Sequence, residues 1–188
     1  MQAPSQLPAP IDDGACAHLP GLAVPSHLLP STAGRLIDLS KRVAARTVVY
    51  CYSMTGVPGA PLPEGWDLIP GARGCTPQAC AFRDHYQELV TFEAELFGLS
   101  TQTTGYQREM AERLRLPFEM LSDAKLTFAH ALKLPTFEAG GMRLIKRLTL
   151  IIRGGRIETV FYPVFPSNES AARVIGWLER HPLEPRPY

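Results

Sequence analysis

Two β-branched and aromatic runs near the C-terminal end, "RLTLII" (147–152) and "RIETVFY" (156–162), flank Arg153-Gly154-Gly155. Paired glycines supply the positive φ angles that a tight hairpin turn demands, so these runs predict an antiparallel strand pair. The next stretch, "NESAARVIGWLERH" (168–181), opens on an asparagine cap, carries an apolar stripe and stops before Pro182, which predicts a terminal helix. Upstream, "TVVYCY" (47–52) has the type and length of a buried strand, and "AELFGLST" (94–101) has the same character. Between them a helix is expected from Thr76 to about Val90, with Ala79, Phe82, Tyr86 and Leu89 on one face. Two more helices follow, "TTGYQREMAERLRL" (103–116) and "SDAKLTFAHALKL" (122–134), the second capped by Ser122 or Asp123. A βαβ unit makes parallel strands and the late hairpin adds antiparallel ones. The expected architecture is therefore α/β, with a mixed central sheet and helices on both faces in three layers.

That connectivity is the one of a thioredoxin-like fold. The chain has 188 residues, 45% hydrophobic and 20% charged, enough for one domain with a sizeable core. The domain is expected over residues 21–182. The proline-rich residues 1–20 are expected to form a loosely ordered arm. A net charge of +1, with no long run of like charges, indicates neither nucleic acid nor an anionic membrane surface as a partner. The first 25 residues show no basic stretch leading into an apolar one, and nowhere do 18 apolar residues run together, so a cytoplasmic protein is expected.

Four cysteines, Cys16, Cys51, Cys75 and Cys80, are too few and too uneven for a secreted disulfide framework. The close pair lies in "GCTPQACAFRD" (74–84), where Thr76 is the expected N-cap and Pro77 the first helical residue. Cys75 then sits at a helix mouth, where unpaired N–H groups and the macrodipole stabilise a thiolate. Such a sulfur is a nucleophile towards the O–O bond of a peroxide, and a neighbouring thiol can capture the sulfenic acid that results. Two buried cysteines also occur as small hydrophobes with no chemistry. Zinc binding is disfavoured because it wants closer pairs, and none of His18, His27, His85, His130 and His181 pairs with another at ligand spacing. No metal and no cofactor is expected. Cys51 reads as a core residue of the first strand, and Cys16 as an incidental thiol. Residues 56–73, rich in glycine and proline, form a loop long enough to suggest function, with Trp66 as its anchor.

"GCTPQACAFRD" resembles the active-site signature of the peroxiredoxins of the bacterioferritin-comigratory or Q type, whose pattern reads G-C-T-x-[EQ]-A-C-x-F-R-D. "ELFGLSTQTTGYQREMAERLRLPFEMLSD" (95–123) and "KRLTLIIRGGRIETVFYPV" (146–164) are similar to later segments of that family, in the same order. The resemblance spans roughly residues 20–180. It implies that Cys75 is the peroxidatic cysteine, Cys80 the resolving cysteine, and Arg147 the arginine facing the reactive sulfur, with Gln78 at the Glu or Gln position. The family usually places a threonine three residues before the reactive cysteine, where this chain has Ala72. If residues 56–73 are an insertion, Thr55 supplies the missing hydroxyl. The resemblance further implies a hydroperoxide substrate, a thioredoxin or similar dithiol reductant, and a monomer or homodimer. A redox-sensing or binding module with little turnover is the alternative. A disulfide oxidoreductase is disfavoured by the C-x4-C spacing.

Overall fold

The computed structural model describes residues 8–183. A short hairpin, β1 (Leu28–Pro30) and β2 (Leu36–Asp38), precedes the central strand β3 (Arg46–Cys51). Then come α1 (Cys75–Asp84), α2 (Tyr86–Thr91), β4 (Ala94–Ser100), α3 (Thr104–Leu114), β5 (Glu119–Ser122) and α4 (Thr127–Ala131). A second hairpin, β6 (Thr136–Ala139) and β7 (Met142–Ile145), leads into β8 (Leu148–Arg153), β9 (Arg156–Phe161) and α5 (Ser170–Arg180).

The main sheet has the order β5-β4-β3-β8-β9. β3 pairs parallel with β4 and antiparallel with β8, so it is the strand at which the two halves of the chain join. All six residues of β3 are buried, as expected for a strand covered on both faces. Its alternation sorts the core. Val49 and Cys51 enter a cluster with Leu150, Ile152, Phe128 and Leu132, on the face covered by α4 and the N-terminal segment. Val48 and Tyr50 enter the opposite cluster with Phe82, Met110, Val174 and Leu178, from α1, α3 and α5. The expected three-layer thioredoxin-like arrangement with a mixed sheet is the one observed.

Phe82 fastens α1 to this sheet. Its ring is wholly buried and stacks on Tyr50, with centroids 4.6 Å apart and planes 11° from parallel. Phe82→Ala leaves a cavity under the helix, so it is expected to cost about 3–5 kcal/mol and lower Tm by roughly 10 °C in a thermal melt.

Several local expectations are corrected. Thr76 does not cap α1: Gly74 does, at φ 104°, and Cys75 is the first helical residue. Glycine adopts that left-handed backbone without strain, and a Cβ there would also collide with the Ser167 hydroxyl. Pro77 remains within the first turn, where its missing N–H has no intrahelical acceptor to lose. The helix expected to run to Val90 breaks at His85 into α1 and α2. The one expected over 122–134 gives way to a strand ending at Ser122 and a short α4. The loose arm expected over 1–20 is packed across its described part: Cys16 and Leu19 are buried in the core, and Asp13 bonds Lys146 and Tyr162. Residues 1–7 lie outside the described residues. Trp66 anchors the 56–73 loop as expected, packing with Ala139 and Leu144 of the second hairpin and lying 6.1 Å from the Phe137 ring.

Candidate active site

The left-handed turn at Gly74 aims the first turn of α1 at the end of β3 and places Cys75 in the core cluster, 4% exposed. Cys80 lies one and a half turns further along the same helix, partly exposed, and both are free thiols. Arg147 enters from the residue before β8. It is 4% exposed, and its Nη2 lies 3.2 Å from Cys75 Sγ. The same Nη2 faces the carbonyl oxygens of Gly71 at 3.2 Å and Arg73 at 3.0 Å, while Nη1 donates to Gln78 Oε1. The loop before the cysteine thus wraps its carbonyls around the guanidinium. The structure brings together three of the residues singled out in the sequence, Cys75, Gln78 and Arg147.

Among the described residues Arg147 forms no ion pair with a carboxylate. A buried charge without a counter-charge is costly, and carbonyl dipoles compensate only part of that cost. The sulfur of Cys75, 3.2 Å from Nη2, is the group that the guanidinium faces in place of a carboxylate. Gln78 is itself held from behind. Its Nε2 donates to Ser170 Oγ at 3.2 Å, and Ser170 Oγ lies 3.5 Å from Thr149 Oγ1, so a buried polar chain fixes the arginine from β8 and α5.

Thr55 is not part of this constellation. Its N–H donates to Gln102 Oε1 at 3.1 Å, its hydroxyl faces the same oxygen at 3.4 Å, and its carbonyl accepts from Gln102 Nε2 at 3.0 Å. Thr55, beyond the end of β3, is thus tied to the β4–α3 turn through Gln102, and among the described residues no hydrogen bond joins its hydroxyl to Cys75 or Arg147. Sequence reasoning missed Ser53, which lies 1% exposed beside Arg147 in a cavity of about 410 Å³. Among the described residues Ser53 Oγ and Arg147 Nε are buried without a hydrogen-bond partner, at a cost of about 1–3 kcal/mol each.

The other cysteines are set apart chemically. Burial, followed by the charges of Asp13 and Asp12, pushes the Cys16 thiol up to about 12. Burial likewise pushes the Cys51 thiol well above the ordinary range. Neither sulfur ionises near neutral pH. Among the described residues no group of three or more metal-ligating side chains converges, and no helix is long and apolar enough to cross a membrane.

Comparison with known proteins gives a consistent answer. The sequence profile of the Redoxin family matches residues 19–175. A chloroplastic peroxiredoxin Q of rice, Oryza sativa subsp. japonica, is 35% identical over 103 residues, which is 55% of this chain and 41% of the rice protein. The corresponding protein of Gentiana triflora is 30% identical over 128 residues, 65% of this chain and 52% of that one. The chain therefore spans about half the length, or less, of these curated relatives. Among solved structures, the peroxidoxin BcpB of Mycobacterium tuberculosis superposes with a TM-score of 0.70 at 26% identity, covering 87% of this chain and 98% of that one. The bacterioferritin comigratory protein of Xanthomonas campestris, studied for its alkyl peroxide reduction activity, shares the fold with a TM-score of 0.69 at 18% identity, covering 87% and 98%.

Proposed function

The chain belongs to the redoxin family, with peroxiredoxins of the Q type as its relatives, and on that premise we propose that it is a two-cysteine thiol peroxidase acting on hydrogen peroxide or small organic hydroperoxides. The observation that carries this reading is the buried Arg147, free of any carboxylate partner among the described residues and 3.2 Å from the sulfur of Cys75.

The Cys75 thiolate attacks the terminal oxygen of the hydroperoxide. A sulfur–oxygen bond forms as the O–O bond breaks, Cys75 becomes a sulfenic acid, and the departing alkoxide or hydroxide takes a proton to leave as alcohol or water. Negative charge moves from sulfur towards the leaving oxygen, and a fixed guanidinium stabilises it at both ends of that path. The Cys80 thiolate then attacks the sulfenic sulfur, closing a disulfide as hydroxide leaves and is protonated to water. A dithiol donor, thioredoxin or a similar protein, restores both thiols by exchange through a mixed disulfide. The compartment we assign to this cycle is the cytoplasm, where uneven, unpaired cysteines stay reduced. The protein acts there as a monomer or homodimer.

Resolution requires movement. Both cysteines belong to α1, five residues apart, which in helical geometry means a rise of about 7.5 Å and a rotation of roughly 140°. A disulfide tolerates a Cα separation of no more than about 7 Å, so the first turns of α1 must unwind before the bond can close. Those turns lie at the helix end, where the first N–H groups have no intrahelical partner, so they open more readily than the interior.

Mass spectrometry after one equivalent of peroxide tests the assignment. The expected product has lost two hydrogens, with Cys75 joined to Cys80, while Cys16 and Cys51 remain thiols that alkylate only after unfolding. A different pairing, or oxidation at Cys80 alone, rejects it. Turnover that stops after one equivalent despite a dithiol supply would instead identify a sensor.

A further inference from the structure

A guanidinium is a rigid planar fork, and it is aimed only when it is gripped on more than one side. The loop before α1 grips one side of Arg147, through the carbonyls of Gly71 and Arg73 on Nη2. Among the described residues the Nη1 side has a single grip, the side-chain oxygen of Gln78. Which end of that amide meets the arginine is dictated by chemistry. A guanidinium only donates, so Gln78 Oε1 must face it and the NH2 group must face the other way. Gln78 is wholly buried, so its NH2 group needs an acceptor inside the protein. Ser170 Oγ, at 3.2 Å, is that acceptor.

Ser170 is the first residue of α5, where a serine hydroxyl ordinarily turns back to the free N–H groups of its own helix. Here it turns inward. The residue is 2% exposed, and among the described residues its Oγ meets only Gln78 Nε2 and, at 3.5 Å, Thr149 Oγ1. The cluster between α1, α5 and the sheet is mainly apolar, with Ala79, Ile151, Ala171 and Val174 among its members. An alanine at 170 would suit that cluster without bringing a polar group that must be satisfied. Thr149, wholly buried on β8 two residues beyond Arg147, holds the Ser170 hydroxyl in its turn. Resting on the peroxidase reading above, we infer that Ser170 is a positioning residue for the peroxide step. Its hydroxyl holds the Gln78 amide, and through that amide the plane of Arg147 against the Cys75 sulfur. It touches neither the sulfur nor the guanidinium, and it comes from a helix 92 residues further along the chain than Gln78.

Stopped-flow oxidation of Cys75 by hydrogen peroxide, on the full chain, tests the inference. Ser170→Ala is expected to slow this step by about tenfold, since a guanidinium released on one side is out of line for most encounters. The effect must pass through the arginine. In an Arg147→Ala background, Ser170→Ala is therefore expected to change the rate by less than about twofold, whereas a merely structural serine would slow both backgrounds alike. Thr149→Val, which keeps the shape and removes the hydroxyl, should slow oxidation by about two- to threefold, and Thr149→Ser, which keeps the hydroxyl, should restore the native rate. The Thr149 pair decides the matter if a thermal melt shows Ser170→Ala unfolded. A folded Ser170→Ala that oxidises at the native rate, equal slowing in the two backgrounds, or a Thr149→Val no slower than Thr149→Ser overturns the positioning role. In each of those cases a native protein that still consumes peroxide leaves the peroxidase reading standing. A native protein that consumes none overturns that reading, and the role of Ser170 with it.

Discussion

Cys75→Ser is expected to abolish peroxide consumption, while Cys80→Ser consumes one equivalent and then stalls as a sulfenic or more oxidised form. The asymmetry follows from position. Cys75 is the first residue of α1, next to the unpaired N–H groups of the helix start and to the guanidinium at 3.2 Å. Cys80 sits in the interior of the same helix, where the backbone N–H groups are already bonded and the dipole acts weakly. Only the first sulfur therefore has both a helix start and a guanidinium beside it. An oxygen nucleophile in place of sulfur remains protonated at neutral pH, so Cys75→Ser retains the geometry and loses the chemistry. Single-turnover peroxide loss, followed by dimedone trapping of the sulfenic acid, separates the two variants. If Cys80→Ser is the inactive one, the roles are reversed.

Arg147→Ala is expected to slow the peroxide step by about 10- to 1000-fold, the range for removing one donor aimed at developing charge. The same change strands Gln78 Oε1 and the carbonyls of Gly71 and Arg73, so some loss of stability accompanies it. Arg147→Lys distinguishes the effects, since it keeps the charge but replaces a rigid fork by a single ammonium. Stopped-flow oxidation should rank native above Arg147→Lys above Arg147→Ala. Equal rates in all three would place the arginine outside the reaction.

The candidate site was legible in the sequence because most of its residues are close together there. Cys75, Gln78 and Cys80 fall within one helix turn and a half, and Arg147 was reached by resemblance in a strand that its own pattern had already marked. The hairpin of β8 and β9 and the buried strand β3 were equally plain, since continuous β-branched runs are unambiguous at that length. β5 was missed because its last residue, Ser122, reads with Asp123 as a helix cap. Asp123 does serve as one, accepting from the N–H groups of Phe128 and Ala129, but from several residues before the helix begins. The hairpin of β6 and β7 escaped because neither four-residue strand alternates: exposure falls on Glu138 alone in β6, and β7 runs from exposed Met142 and Arg143 to buried Leu144 and Ile145. Ser53 could not have been found. Its neighbours in the cavity come from residues 9–13, 69–71, 137, 146–147 and 162–163, a set that only the folded chain assembles.

The continuous helix carrying both sulfurs has a consequence for survival in high peroxide. In the cycle proposed above, a sulfenic acid at Cys75 has two fates, capture by Cys80 or a second oxidation to the sulfinic state, which thiol exchange does not reverse. Capture waits for the first turns of α1 to open, whereas the second oxidation waits only for another peroxide molecule. Phe82, stacked on Tyr50, holds the far end of the helix down. In that cycle the opening free energy of one helical turn acts as a timer, and a substitution that steadies the turn is expected to make Cys75 more easily over-oxidised by peroxide.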